Sequence, residues 1–402
     1  MQDKIYQFVS RIKFVKLSDV IAIFPMCIGF IIAQPIKWFG KKIWLVCERR
    51  GEARDNGYWF YKYVCDNHKE IRCIYAIDKN SVDYSKVSKI GEVIQFSSLT
   101  HWIYYFAADK LISSQKEGKP NAALCFVIEV YLNARKNRIY LKHGIVKDAQ
   151  RWIYYDISKL SLICCAAKRE YEFIKENFGY PKESIVLTGL CRFDNLLSKH
   201  EVKKQILIMP TMREWLRTIS TDTLKYEESI DFCKSEYFIT WKNLINSQQL
   251  VTILEKFDVD LLFYPHPSMQ KYLEYFKTDC KHIIIASDST YEIQQLLMES
   301  AVLITDYSSV YFDFAYMKKP VLYYQFDYEK YRSGQYQEGY FSYQEDGFGP
   351  VINKEYELLE ELNKICERDF HMEDKYLLRA EEFYAFNDTN NSKRTFDAII
   401  KM

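Results

Sequence analysis

Three short polar segments of this chain combine residue types that can bind a phosphate or move a proton. His143–Gly144 ends the segment IYLKHG, Tyr264–Pro267 follows the apolar run VDLLF, and Asp306–Ser309 follows AVLIT. An imidazole titrates near neutral pH and can accept a proton from an attacking hydroxyl. The two prolines around His266 fix its backbone, and Gly144 lets another molecule approach the main chain closely. Either histidine could equally have only a structural role.

Ser308 and Ser309 stand where a predicted strand gives way to a predicted helix, Val310–Lys318. Free backbone N–H groups at a helix start favour an anion, and two hydroxyls add donors for phosphate oxygens. Asp306 is expected to shape this turn. The alternative is that the aspartate and serines only cap the helix, with no ligand.

Two arginines offer a planar fork for bidentate phosphate binding. Arg213 follows Thr211 in PTMR, directly after the predicted strand ILIM, and Arg192 lies in GLCRFDNL. Either arginine could equally form a surface salt bridge. The segment ERRGEARDNG after the first predicted strand has no general chemical rationale.

Several common active-site classes are absent from the sequence. It contains no GxxxxGK[ST] phosphate loop, no GxGxxG after a strand, no HExxH and no GxSxG elbow. The eleven cysteines form no C-x-x-C pair and no metal-ligand spacing. We therefore expect a reduced, cytoplasmic protein without a bound metal or cofactor.

Short apolar strands alternate with helical segments from Lys42 onward, which is typical of an α/β fold with a mostly parallel sheet. The polar, basic stretch Leu197–Gln205 separates two such series. This pattern predicts two doubly wound domains that face each other across a cleft, with ligands at the carboxyl ends of the strands. The expected domains are a segment at 1–40, an N-terminal domain at 41–200 and a C-terminal domain at 201–402.

The first fifty residues differ from the rest in charge. They carry nine Lys or Arg against three acids, although the whole chain is balanced at +1. Within them Val20–Ala33 is an unbroken apolar run, shorter than the ~20 residues of a spanning helix. We favour a segment that dips into the cytoplasmic leaflet, with Trp38 at the interface. The alternative is a buried core helix broken by Pro25.

The balanced net charge argues against a nucleic-acid binder.

The order of the polar segments resembles the CDP-glycerol glycerophosphotransferase family, which includes teichoic acid primases and polymerases of Gram-positive bacteria and relatives in capsule synthesis. The resemblance covers roughly Lys42–Ile352. It rests on KHG at Lys142–Gly144, TGLCRFDNL at Thr188–Leu196, PTMRE at Pro210–Glu214, YPHP at Tyr264–Pro267 and the segment LITDYSSVYFDFAYMKKPVLYY at 303–324. It implies a GT-B-like pair of Rossmann-type domains, a membrane-associating N-terminus and transfer of a polyol phosphate from a CDP-activated donor.

The resemblance also implies roles for individual residues. His143 matches the proposed general base on the acceptor hydroxyl, and His266 matches a histidine that contacts the donor phosphates. Ser308 and Ser309 match hydroxyls that bind the donor diphosphate. The wider expected site adds Thr211, Arg213 and Asp306 on the donor side, and Gly144, Arg192, Arg54 and Asp55 on the acceptor side. Cys191 and Met212 stand where the family often has Pro and Trp, which leaves the polyol open.

The resulting expectation is transfer of glycerol phosphate, or ribitol phosphate, from its CDP ester to a lipid-linked or growing surface polymer, at the cytoplasmic face of the membrane. Two other functions fit the sequence. One is a GT-B glycosyltransferase that uses a nucleotide sugar. The other is a catalytically silent scaffold of a polymer-synthesis complex. The sequence indicates no oligomeric state.

Overall fold

The computed structural model describes residues 16–40, 42–132, 134, 137–216, 231–334 and 339–402. These residues form two compact units, and neither is a single stretch of chain. The first comprises the described residues up to His143 together with Arg151–Asn195 and Asp388–Met402, and the second comprises Gly144–Gln150 and Leu196–Asn387. The expected domains at 41–200 and 201–402 therefore differ from these units in three segments, 144–150, 196–200 and 388–402.

The first unit is built on a seven-stranded parallel sheet with the order β3-β2-β1-β4-β5-β6-β7. The order reverses direction between β1 and β4, which makes this a doubly wound sheet and places the crevice at the carboxyl ends of those strands. The strands are β1 Ile43–Cys47, β2 Arg72–Ile77, β3 Glu92–Gln95, β4 Lys110–Ser113, β5 Arg138–Tyr140, β6 Leu162–Cys165 and β7 Ile185–Leu187.

Both faces of this sheet are covered at its central strand β1, which is apolar and buried along its whole length. On β1, Trp44 and Val46 enter one core cluster while Ile43, Leu45 and Cys47 enter another, as the period of two requires. The helices of this unit are Leu17–Ile21, Ile23–Phe39, Asn56–Asn67, Tyr84–Ser88, Leu99–Ala107, Ala122–Phe126, Tyr155–Ser158, Lys168–Asn177, Phe193–Leu196 and Asn391–Ile400, with a π-helical turn at Val127–Tyr131 and 3-10 turns at Arg151–Ile153 and Lys182–Ser184.

The second unit repeats this plan with six parallel strands in the order β10-β9-β8-β11-β12-β13. Its sheet reverses between β8 and β11. The strands are β8 Gln205–Met209, β9 Asp260–Phe263, β10 Ile283–Ile285, β11 Val302–Thr305, β12 Val321–Tyr324 and β13 Val351–Ile352. The helices are Glu236–Ile245, Gln248–Phe257, Ile293–Glu299, Val310–Tyr316, Tyr328–Gly334, Tyr343–Asp346, Glu355–Glu367 and Asp374–Phe383, with 3-10 turns at Glu214–Leu216 and Pro267–Tyr275.

The predicted α/β architecture with two parallel sheets is confirmed, and the differences lie at strand ends. The predicted strand Ile139–Gly144 ends at Tyr140, because Lys142 adopts a left-handed φ of 62° that no strand accommodates. The strand formed by the apolar run VDLLF ends at Phe263, before the two prolines, which cannot donate to a ladder. The two-residue strand β13 was not predicted.

The N-terminal segment of the first unit is helical over Leu17–Phe39, with a joint at Ala22. These 23 residues are long and apolar enough to cross a membrane, and only 11% of the most apolar window is buried. Pro25 falls in the first turn of the helix Ile23–Phe39, where proline is tolerated, so it does not break the helix. The segment is thus longer than the apolar run Val20–Ala33 and is not a buried core helix. Residues 1–15 and Lys41, part of the expected basic segment, lie outside the described residues.

Candidate functional site

Polar segments follow three neighbouring strands of the second unit. Pro210–Arg213 follows β8, Tyr264–Pro267 follows β9 and Asp306–Ser309 follows β11, and these strands are adjacent in the sheet. Because parallel strands end at the same edge, the predicted donor-side residues of this unit share one edge of the sheet. We call this group the donor-edge cluster: Thr211, Arg213, His266, Asp306, Ser308 and Ser309.

Asp306 holds the backbone of this cluster in place. Its Oδ1 accepts hydrogen bonds from the backbone N–H of Thr211 at 2.8 Å and of Tyr307 at 2.6 Å. One carboxylate therefore joins the turn after β11 to the segment after β8.

The hydroxyls of Ser308 and Ser309 stay available to a ligand. Ser309 occupies the N-cap of the helix Val310–Tyr316 with helical φ and ψ, and its side chain makes no capping bond. Among the residues that the structure describes, neither hydroxyl hydrogen-bonds to another protein group. The helix has only seven residues, so its dipole is short, and the donors at this turn are mainly the hydroxyls and backbone N–H groups.

Arg213 has protein partners on every side. Its side chain is 0% exposed; Nε donates to Asp327 Oδ2 at 2.7 Å, and Nη2 donates to Asp327 Oδ1 at 3.0 Å. Nη1 lies 2.8 Å from Asp306 Oδ2 and donates to the carbonyl of Thr211 at 2.7 Å. Burial alone would lower the pKa of Arg213, but the two carboxylates outweigh burial and raise it. The guanidinium is permanently charged, and its Nε, Nη1 and Nη2 all contact protein groups.

Two further groups of the cluster are suited to polar ligands. The Oγ1 of Thr211 is buried and has no hydrogen-bond partner within the described part of the chain. His266 is exposed, and its Nδ1 accepts from the backbone N–H of Ser268 at 3.2 Å, which puts the proton of the neutral ring on Nε2. Ser268 Oγ also lies 2.8 Å from Met212 Sδ, which links the segment after β9 to the one after β8.

The first unit holds the remaining predicted residues around His143. Lys142, in its left-handed conformation, is fully buried and ion-paired with Glu170, and its carbonyl accepts from Asn56 Nδ2 at 2.7 Å. These contacts fix the backbone on the N-terminal side of His143, whose ring remains exposed. His143 therefore lies three residues beyond the short strand that ends at Tyr140, on a backbone held by these contacts.

Asp55 connects the other acceptor-side residues of this unit. Its Oδ1 accepts from Arg192 Nη1 at 2.8 Å, and its Oδ2 accepts from Gln115 Nε2 at 3.1 Å. The backbone N–H of Arg192 donates to Asn56 Oδ1 at 2.9 Å. Arg54 instead forms a salt bridge with Asp83, in which Arg54 Nε lies 2.7 Å from Asp83 Oδ2. We call His143, Asp55, Arg192 and Gln115 the His143 cluster.

Electrostatics keep His143 in its neutral form. Although the ring reaches solvent, the surrounding protein displaces water around it, and this desolvation lowers the pKa of the imidazole from its usual 6.5. The carboxylate of Asp55 opposes the shift, whereas the charge of Arg192 adds to it. At neutral pH the ring can therefore accept a proton.

Glu48 is a buried acidic residue beside the His143 cluster that the sequence analysis did not single out. It is 0% exposed and accepts from the backbone N–H groups of Arg54 at 3.0 Å, Asp55 at 3.2 Å and Tyr58 at 2.8 Å. Burial, helped by the charge of Asp55, raises its pKa to about 8. A Cβ at Gly57 would come within 2.8 Å of Glu48 Oε1, so glycine is required there. The segment ERRGEARDNG is thus a loop folded around one buried carboxyl group, which orients Asp55.

Gly144 belongs to the second unit, where it lies against the donor-edge cluster. A Cβ at position 144 would come within 3.2 Å of Ser309 Oγ. Its segment is anchored by Asp148, whose Oδ1 accepts from Arg332 Nη1 at 2.9 Å. The close approach to Ser309 explains why a glycine stands here.

Comparison with known proteins shows the family to which the chain belongs. The family described as CDP-Glycerol:Poly(glycerophosphate) glycerophosphotransferase matches residues 31–401. The minor teichoic acid biosynthesis protein GgaB of Bacillus subtilis (strain 168) is 34% identical over 369 residues, which are 90% of this chain and 40% of GgaB. The teichoic acid poly(glycerol phosphate) polymerase of the same strain is 22% identical over 85% of this chain and 46% of its own length. The chain thus spans less than half of these relatives.

Among solved structures, the wall teichoic acid polymerase TagF, as a variant soaked with CDPG, aligns with a TM-score of 0.69. The alignment covers 99% of this chain and 97% of that chain at 19% identity, and this likeness concerns the fold. The family match extends over nearly the whole sequence and includes both clusters. The chain therefore belongs to the CDP-glycerol:poly(glycerophosphate) glycerophosphotransferase family.

Proposed function

We propose that the protein transfers a polyol phosphate, glycerol phosphate in the first place, from a CDP-activated donor to a hydroxyl of a lipid-linked or growing cell-surface polymer, a teichoic acid or a capsule. CMP is the second product. The observation that carries the proposal is the turn Asp306–Ser309, which presents two unengaged hydroxyls at a sheet edge in a chain of this family. GT-B-like organisation is part of the proposal, and the two doubly wound sheets support it.

The donor-edge cluster is assigned to the diphosphate of the donor. Ser308, Ser309 and Thr211 supply hydroxyl donors, and His266 supplies an Nε2–H. Arg213 contributes through Asp306, since it fixes the carboxylate that shapes the turn. The second unit is therefore proposed to bind CDP-glycerol or CDP-ribitol.

The His143 cluster is assigned to the acceptor. His143 takes the proton of the acceptor hydroxyl while its oxygen attacks the β-phosphorus of the donor. A new P–O bond forms to the acceptor oxygen, the bond between β-phosphorus and the bridging oxygen breaks, and CMP leaves with that oxygen. Asp55 and Arg192 set the charge around the imidazole, and Glu48 holds the loop that carries Asp55.

Product analysis tests this proposal against the two alternatives. The protein is incubated with a synthetic lipid-linked glycerol phosphate acceptor and with CDP-glycerol, CDP-ribitol or nucleotide sugars in turn. We expect CMP and an acceptor enlarged by one or more polyol phosphates. Transfer from a nucleotide sugar alone would identify a glycosyltransferase, and no transfer from any donor would favour a scaffold.

The pH dependence of CMP release follows from the charge around His143. Because its pKa is lowered, kcat/KM should fall only as the pH drops through a value below 6.5, where the imidazole becomes protonated. Arg192→Met removes a positive charge that lowers the pKa of His143, so the acid limb of the pH profile of this variant should move to higher pH. Asp55→Asn removes a negative charge that raises the pKa, so its limb should move to lower pH. Identical profiles for the three proteins would exclude His143 as the titrating base.

We also propose that Leu17–Phe39 attaches the protein peripherally to the cytoplasmic face of the bacterial membrane. The support is its exposed apolar surface, with Phe24 73% exposed, Ile31 69% exposed and Trp38 77% exposed. Such surface binds at the boundary between headgroups and acyl chains.

Sedimentation with phosphatidylglycerol vesicles tests this attachment. The double variant Phe24→Ser, Ile31→Ser should bind at least about tenfold more weakly, because two large side chains no longer enter the bilayer. Ile239→Ser is the matched control, since Ile239 is an exposed isoleucine of the second unit. Vesicle binding by a chain that begins at Lys42, as strong as that of the full chain, would contradict the proposal.

A further inference from the structure

The first unit contains a cavity of about 870 Å³ that none of the proposed chemistry uses. This volume lies within the range of about 300–1,000 Å³ that is typical of ligand pockets. One wall is formed by β1, β4 and β5 through Leu45, Leu111 and Ile139, and the opposite wall by Phe126, Val127 and Val130. The cavity is therefore mostly apolar and extends across three adjacent strands, which is about 10 Å.

Three charged groups of the wall form one ion-paired network around Glu129. Glu129 accepts from Lys119 Nζ at 2.6 Å, from Arg138 Nη1 at 2.8 Å and from the hydroxyl of Tyr105 at 2.9 Å. Arg138 also donates to the carbonyl of Lys159 at 2.8 Å. Since these charges are paired within the protein, the surface offered to a ligand is mainly hydrocarbon.

One end of the cavity reaches the exposed N-terminal helix. Val20 and Ile23 of the segment Leu17–Phe39 line it and are 52% and 43% exposed. Ala122 and Ala123 line it as well and are also exposed. Asp19 also lines this end, where its Oδ1 accepts from Asn121 Nδ2 at 2.8 Å, so the apolar residues of the opening lie beside one hydrogen-bonded carboxylate.

Another part of the wall touches the His143 cluster. Gln115 lines the cavity and donates to Asp55 Oδ2 at 3.1 Å, and Asp55 in turn binds Arg192. Glu117 also lines the cavity, in the segment that follows β4. The cavity therefore connects a membrane-facing helix with the residues assigned to the acceptor, all within one unit.

We propose that this cavity binds the hydrocarbon chain of the lipid that carries the acceptor, with the polar head of that lipid directed toward Asp55 and His143. The assignment of the head group rests on the proposed function, whereas the apolar site does not. The occupant is a hydrocarbon chain because the lining is apolar, its charges are paired and its opening adjoins the exposed helix.

Fluorescence quenching by 12-bromododecyl phosphate, below its micellar concentration, tests the site directly. Trp152 lines the cavity and Trp38 lies on the exposed helix, so bromine quenches different residues in the two places. We expect saturable quenching that Trp152→Phe abolishes and Trp38→Phe preserves. Quenching that disappears only in Trp38→Phe would place the chain on the outer surface of the helix and overturn the proposal, and so would the absence of saturable quenching.

Filling the cavity provides the second test. Val127→Phe adds volume inside it and should weaken binding of the bromoalkyl phosphate at least tenfold. Leu132→Phe is the matched control, because Leu132 is exposed and does not line the cavity. Equal affinities for the two variants would overturn the proposal.

A turnover assay separates failure of this inference from failure of the proposed function. Methyl and dodecyl esters of glycerol phosphate serve as acceptors with CDP-glycerol as donor. The dodecyl ester should have a KM at least tenfold lower, and Val127→Phe should remove that difference while CMP release with the methyl ester is retained. Equal KM values with normal CMP release would overturn the lipid site alone. Saturable quenching at Trp152 without CMP release from either ester would support the site and refute the proposed function.

Discussion

Replacing His143 by glutamine is expected to lower kcat/KM for CMP release by about 10²–10⁴-fold, the usual contribution of a general base. Glutamine can hydrogen-bond to the acceptor hydroxyl but cannot accept its proton at neutral pH. The residual activity should also lose the acid limb of the pH profile, since the group that titrates there is gone. Both kinetic quantities are measured with CDP-glycerol and a lipid-linked acceptor.

The structure predicts that this substitution leaves the fold intact. The imidazole is exposed, and its position depends on the backbone at Lys142, which is held by Glu170 and Asn56. The urea midpoint of the variant should therefore match that of the natural protein. His371→Gln is the control, since His371 is an exposed histidine outside both clusters. Full activity in His143→Gln would rule out the assignment of the base.

Replacing Arg213 by methionine is expected to have the largest effect on stability, a loss of about 3–5 kcal/mol in the free energy of unfolding. The change leaves the buried carboxylates of Asp306 and Asp327 without their cation. Aromatic rings surround the guanidinium, with those of Tyr307 and Tyr237 centred 4.9 and 5.2 Å from its Cζ, so little water can replace it. Urea unfolding of the variant measures the loss.

The same variant should bind CDP-glycerol poorly, because Asp306 no longer fixes the turn with Ser308 and Ser309. Arg213→Lys keeps the charge but cannot donate to two carboxylates in a fork, so it should fall between the methionine variant and the natural protein. Lys256→Met is the control: Lys256 pairs with Glu367 at the surface, and such pairs contribute at most about 1 kcal/mol. Unaltered donor binding in Arg213→Met would refute the positioning role.

The sequence predicted the elements well because parallel strands are short, apolar and separated by helical segments. Their polar residues could be assigned to one edge of each sheet without knowing any contact, since the carboxyl ends of parallel strands coincide. The family resemblance is confirmed by the match over residues 31–401. The roles of His143, His266, Ser308 and Ser309 stay predictions that the experiments above test.

Long-range pairing is what the sequence could not provide. Arg213 is separated from Asp327 by 114 positions, and nothing local distinguishes a buried, paired guanidinium from one that binds phosphate. Glu48 was missed for a related reason. Its hydrogen-bond partners are backbone N–H groups, which every residue except proline has, so the sequence does not show which of them it binds. The available signal was Gly57, whose missing side chain makes room for that carboxylate.

The discontinuous units have a consequence for how the protein is made. The helix Asn391–Ile400 packs in the first unit, where Asp194 accepts from the N–H groups of Asn391 and Ser392 at 2.8 Å each. A Cβ at Gly189, whose φ is 82°, would overlap the side chain of Asn391. During synthesis the first unit therefore lacks one of its helices until almost the entire second unit has left the ribosome. The unit whose strands are translated first is therefore completed last.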